Sequence, residues 1–148
     1  MLKSIVMKSI DEIQQEIVEE FELFDNWIDR YNYLMELAKK LPPLDEKYQK
    51  KENLIEGCQS QVWLAAEFTD NLLYFYADSD ALITKGIIAL LLRIYSGQHP
   101  NNILNAEPWC IEKIGLANNL SPTRSNGLLS MIKQIRLYAL AYKTKYKL

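Results

Sequence analysis

The chain has 148 residues, 49% of them hydrophobic and 24% charged, and 17 Lys and Arg against 19 Asp and Glu give a formal net charge of -2. That length suits one domain, spanning residues 1–148, whose hydrophobic core needs no disulfide or metal staple. The charge excludes the basic excess of a nucleic-acid binder, and the longest apolar run, Gly86 to Leu92, falls far short of the roughly 20 residues of a membrane span.

The opening "MLKSIVMKSIDEIQQ" has no adequate apolar segment and no small-residue cleavage site, so no secretory signal is expected. Ile10, Ile13, Ile17, Phe21 and Phe24 then recur at helical spacing, which predicts a first helix over Ile10 to Phe24. Ser9 with Glu12 three residues on reads as its capping box. Trp27, Tyr31, Leu34, Leu37, Ala38 and Leu41 repeat the pattern in a second helix, capped by Asp25 or Asn26 and stopped by Pro42-Pro43. "LDEKYQKKEN" is a polar connection with room for one helical turn.

The period changes at residue 53. Ile55, Val62 to Phe68 and Leu72 to Ala77 read as short strand-like pieces, and "TDN" between the last two reads as a hairpin connection. Asp78, Ser79 or Asp80 caps a predicted helix over Ala81 to Tyr95, closed by Gly97. "GQHPNNIL" is a loop, and "AEPWCIEKIGL" a short helix ending near Gly115. Ser121 followed by Pro122 opens the last helix, toward Tyr146, with a stripe of Leu128, Met131, Ile132, Ile135, Leu137, Tyr138 and Ala141. The class is α+β, a small antiparallel sheet packed against helices.

Chemistry is sparse. With Cys58 and Cys110 distant in sequence and His99 the single histidine, no zinc or iron–sulfur ligand set forms. No Walker or GxGxxG loop is present, so no nucleotide or other cofactor is expected. A cysteine hydrolase needs a base beside its thiol, and His99 in a polar turn reads as a solvated residue. Cys110 lies among Trp109, Ile111 and Ile114 at helical spacing and reads as core packing. Cys58 differs. It stands in "IEGCQSQVWL" between strand-like segments, beside Gly57, Gln59 and Ser60. It is either a reactive thiol on a loop or a small buried residue at a bend that Gly57 permits. Two cysteines make no disulfide framework, so a reducing cytoplasm is the expected compartment.

"GCQSQVWL" resembles the active-site segment of the SufE family, sulfur acceptors for cysteine desulfurases. "WIDRYNYLMELAKKLPPL", "YADSDALITKGIIALLLRIYSGQHPNNIL" and "IGLANNLSPTRSNGL" are similar to further stretches of the same family, in order, across most of residues 10 to 140. The resemblance implies the fold shared by SufE and IscU-type scaffolds. It implies that Cys58 takes sulfane sulfur from a SufS- or CsdA-like desulfurase, which supplies the pyridoxal phosphate. It further implies stimulation of the desulfurase and delivery to a cluster-assembly complex of the SufBCD kind. Gln59 and Ser60 would donate hydrogen bonds around the sulfur or cap the strand. Arg124 would support a thiolate or contact the partner, or else be an ordinary first-turn arginine. Asp78 and Asp80 would be partner contacts or only helix caps. A non-carrying regulator and a cluster scaffold are the competing readings. A carrier should also hold Cys58 partly inward, in a loop anchored by Ile55, Val62 and Trp63.

Overall fold

A computed structural model describes residues 8–148. In chain order it contains α1 (Ile10–Phe21), α2 (Trp27–Lys40), two 3-10 turns (Glu46–Tyr48 and Lys51–Asn53), β1 (Val62–Thr69), β2 (Leu72–Ser79), α3 (Leu82–Tyr95), α4 (Pro100–Asn105), α5 (Trp109–Lys113), α6 (Leu116–Asn119) and α7 (Pro122–Tyr146). The α+β class is as expected.

The capping box at α1 forms: Glu12 N–H donates to Ser9 Oγ and Ser9 N–H to Glu12 Oε1. α1 stops at Phe21, one turn before Phe24. Asn26, not Asp25, caps α2 by accepting from Asp29 N–H at 3.0 Å. The polar connection holds two 3-10 turns rather than one helical turn.

β1 and β2 form a two-stranded antiparallel sheet. Asp70 and Asn71, at φ 54° and 64°, make the two-residue connection whose twist suits a hairpin. Thr69 stands opposite Leu72, Leu64 opposite Ala77 and Val62 opposite Ser79. On β2, Leu73, Phe75, Ala77 and Ser79 face the core, while Tyr74, Tyr76 and Asp78 point away from it. Ile55 belongs to no strand. Leu54 makes a single bridge to Trp63, and Ile55 N–H donates to Val62 O at 2.9 Å.

α3 is the centre of the molecule. Ile83, Ile87, Ile88, Leu91, Ile94 and Tyr95 are all buried, which takes in most of its circumference. A helix apolar nearly all round must be covered on several sides; α1 and α2 cover one, β2 and α7 another. Gln14 of α1 is fully buried and satisfied, donating to Glu107 O and accepting from Cys110 N–H, both at 3.0 Å. Arg93 of α3 holds Glu20 of α1, which also accepts from the Tyr33 hydroxyl of α2.

Three expectations need correction here. "GQHPNNIL" is mostly helix α4, because His99 Nδ1 accepts from Asn101 N–H at 3.0 Å and Pro100 takes the first helical position. "AEPWCIEKIGL" is only the first of two short helices, α5 and α6, divided by Gly115. On α7, Leu128, Met131, Ile135 and Ala139 are buried, but Leu137 is 46% exposed and Ala141 lies on the surface.

Candidate functional site

The segment between Ile55 and Val62 is closed at its base by the Ile55–Val62 backbone bond. Gly57 turns it with φ +86°, a conformation that strains a residue carrying a Cβ. Here a Cβ would also meet Ser130 Oγ at 2.9 Å. The turn sends Cys58 back against α7. Its Sγ lies 3.8 Å from Gly127 O, a weak S–H to carbonyl contact. Position 127 leaves space beside the sulfur that an added Cβ would fill in ordinary contact, 3.5 Å away.

Cys58 is thus half-buried at a cleft of about 230 Å³, lined also by Ser60, Thr84, Ile87, Arg124 and Met131. β1's approach, the start of α3 and the first turns of α7 meet there. Burial pushes the Cys58 thiol above its ordinary pKa. Cys110 is fully buried under α1 and pushed up to about 12 by the same cause. The two thiols therefore differ in access. One opens on a cleft and the other has no exposed surface.

Ser60 does not hydrogen-bond the sulfur. Its hydroxyl lies 3.4 Å from Thr84 Oγ1 and accepts from Ser79 Oγ at 3.5 Å, while Ser79 Oγ accepts from Ala81 N–H at 3.2 Å. Gln59 is exposed and lines the cleft. Arg124 stands exposed in the first turn of α7, which Ser121 caps by accepting from Arg124 N–H.

The aspartates depart from the expectation of helix caps. α3 begins at Leu82 behind Ala81, with no side-chain cap. Asp80 instead accepts from Gln61 N–H at 3.0 Å, across the exit of the Cys58 segment. Asp78 accepts from Ser79 N–H at 2.8 Å and pairs with Lys85 at 3.4 Å. His99 is a helix cap, not a solvated loop residue. Among the described residues, no three His, Cys, Asp or Glu side chains stand together as a metal site.

Sequence reasoning singled out neither Thr84 nor Gly127. Thr84 carried a signal, as a hydroxyl on the buried side of a largely apolar helix. Gly127 carried one too, as a glycine inside a helix, where it costs stability and calls for a packing reason.

The family model described as "SufE: Fe-S metabolism associated domain" matches residues 15–139. The chain belongs to the SufE family. It is 42% identical over 137 residues to an uncharacterized SufE-like protein of Rhizobium etli, covering 89% of this chain and 90% of that one. A second SufE-like protein, from Rhizobium meliloti, is 42% identical over 135 residues, covering 88% and 94%. The chloroplastic/mitochondrial SufE-like protein 1 of Arabidopsis thaliana matches at 42% over 132 residues, which is 88% of this chain but 36% of that protein. The solution structure of a hypothetical protein from Thermus thermophilus shares the fold, with a TM-score of 0.74 at 21% identity over 89% of this chain and 96% of that one. This SufE-family chain accordingly has its role in iron–sulfur metabolism. None of its described helices is long and apolar enough to cross a membrane.

Proposed function

We propose that this chain is a sulfur carrier, one domain whose Cys58 receives sulfane sulfur from a cysteine desulfurase and passes it on for iron–sulfur cluster assembly. The observation that carries this reading is the seating of Cys58, half-buried at the mouth of a cleft against Gly127, while Cys110 is sealed in the core. The Cys58 thiolate attacks the outer sulfur of the desulfurase persulfide. The S–S bond on the desulfurase breaks, its thiolate leaves, and a new S–S bond forms on Cys58. No net oxidation occurs, as in thiol–disulfide exchange.

The chain needs no base or metal of its own for this step. The desulfurase performs the C–S cleavage with its pyridoxal phosphate. In the free carrier, burial raises the Cys58 pKa and lowers its thiolate fraction, which limits side reactions. Contact with the partner opens the segment and raises that fraction. Gly57 and the Asp80–Gln61 bond set how that segment opens, and Arg124 at the rim meets the partner. Delivery to a SufBCD-like complex in a reducing cytoplasm completes the role.

The test is to incubate the chain with its host's desulfurase and free cysteine, then weigh the intact protein. Cys58 should gain one sulfur atom that a reductant removes, and Cys58→Ser should gain none. Sulfur mapped to Cys110, or desulfurase stimulation that survives Cys58→Ser with no sulfur bound, overturns the carrier reading in favour of a regulator.

A further inference from the structure

A second cavity lies away from Cys58 and shares no lining residue with its cleft. It is a trough of about 730 Å³ between the end of α2, the Pro42–Tyr48 segment, β2 and the last turns of α3. One wall is the outer edge of β2.

The hairpin fixes which backbone groups of that edge are free. A two-residue hairpin loop is closed by a hydrogen-bonded pair, here Thr69 and Leu72, and pairs then alternate between bonded and non-bonded. Tyr74, Tyr76 and Asp78 therefore bond β1. Leu73, Phe75 and Ala77 turn their N–H and C=O groups outward. The first of these are satisfied: Leu73 exchanges bonds with Gln98 and Gly97, and Phe75 N–H donates to Ser96 Oγ at 2.9 Å. Beyond that point nothing pairs. Among the described residues no partner reaches Phe75 C=O, or the N–H and C=O of Ala77. Yet Phe75 and Ala77 are 3% and 6% exposed, and both line the trough. Buried backbone groups rarely go without partners.

We propose that this edge binds an extended segment of a partner protein with apolar residues on one face, which adds a third strand beside Phe75 to Ser79. The unpaired groups dictate an extended backbone, because a strand alone presents N–H and C=O at the spacing Ala77 requires. The trough dictates apolar side chains on the strand's inner face, since Leu37, Leu41, Phe75, Ala89 and Leu92 line it. The rim is mixed in charge: Arg93 is held by Glu20 and Lys47 faces Glu67 at 3.9 Å, while Lys40 and Asp45 both line the trough. Because the two cavities are separate, the segment can dock while Cys58 stays accessible.

Amide exchange read by NMR tests this in two stages. In the free chain, Ala77 N–H should exchange about a hundredfold faster than Tyr76 and Asp78 N–H, which bond β1. The probe is then a blocked hexapeptide of alternating valine and glutamate. It should slow Ala77 exchange by about tenfold or more, and a version N-methylated on its edge-pairing amides should not. The proposal fails if Ala77 is as protected as its neighbours before any peptide is added, or if a millimolar probe leaves it unchanged. It also fails if Ala77 protection follows protein concentration, which would mean a second copy occupies the edge.

Discussion

The amide of Gln61 donates to Asp80 Oδ1 at 3.0 Å, and the amide of Asp80 donates back to Gln61 O at 3.4 Å. This reciprocal pair extends the β1–β2 ladder past its last strand residues and fixes the exit of the Cys58 segment. Asp80→Ala removes the carboxylate half. A charge-assisted bond at an exposed position contributes about 1 kcal/mol, so a small loss in urea unfolding free energy is expected. Iodoacetamide should modify Cys58 several-fold faster in the variant. An unchanged alkylation rate would mean that Asp80 does not govern the segment.

Gly127→Ala should separate stability from function. Its Cβ would make only ordinary contact with the Cys58 thiol, 3.5 Å from the sulfur. Inside a helix, alanine is favoured over glycine by about 1 kcal/mol. The variant should thus unfold at equal or higher urea concentration. The space beside Sγ is lost, however, and the added sulfane sulfur needs it. Sulfur loading from the desulfurase should fall about tenfold, a barrier increase of about 1.4 kcal/mol.

Gly57→Ala is expected to be costly in itself. The left-handed conformation strains alanine by about 1–2 kcal/mol, and its Cβ would sit 2.9 Å from Ser130 Oγ. Adding Ser130→Ala should recover the contact part and leave the backbone part. Denaturation midpoints of the two single variants and the double variant check this. Full recovery in the double variant would show that the backbone is unstrained.

Alkaline pH should destabilise the fold through its buried acids. Burial raises the pKa of Cys58 and pushes Cys110, Tyr95 and Tyr33 up to about 12. The unfolded chain releases these protons first, so stability is constant below the unfolded cysteine pKa and falls as pH rises above it. The decline should start near pH 9 and steepen near pH 10, where unfolded tyrosines join. One group contributes up to about 1.4 kcal/mol per pH unit within its window. Cys110→Ala should reduce the early part of the slope, leaving the share of Cys58, and urea titrations from pH 8 to 11 would show it.

Signals that act within a few residues were readable in the sequence. Ser9 with Glu12, Ser121 with Pro122 and the two prolines after Leu41 each act within about a turn, and each end of helix they mark was found. The site is built otherwise. Cys58 meets Gly127 across 69 positions, and Ser60 meets Thr84 across 24. Residue pattern singled out Cys58 as a candidate and, through the quoted motifs, the family, but not the wall behind the thiol. Asp80 misled for the same reason. An aspartate before a helix is usually a cap, and here a partner 19 residues earlier outcompetes the helix amides. His99 was missed because histidine is an uncommon cap and its ring nitrogen fills the role of the usual oxygen.

Both ends of the Cys58 segment are tied down, by Ile55 to Val62 at one side and by Gln61 to Asp80 at the other. A chain pinned at both ends has little reach. With roughly three residues on either side of the thiol, each spanning about 3.3 Å, full opening carries the sulfur no more than about 10 Å from its tethers. On the carrier proposal, free diffusion of a long arm therefore plays no part in the exchange, and the two proteins must dock closely enough for a short, guided stroke to move the sulfur.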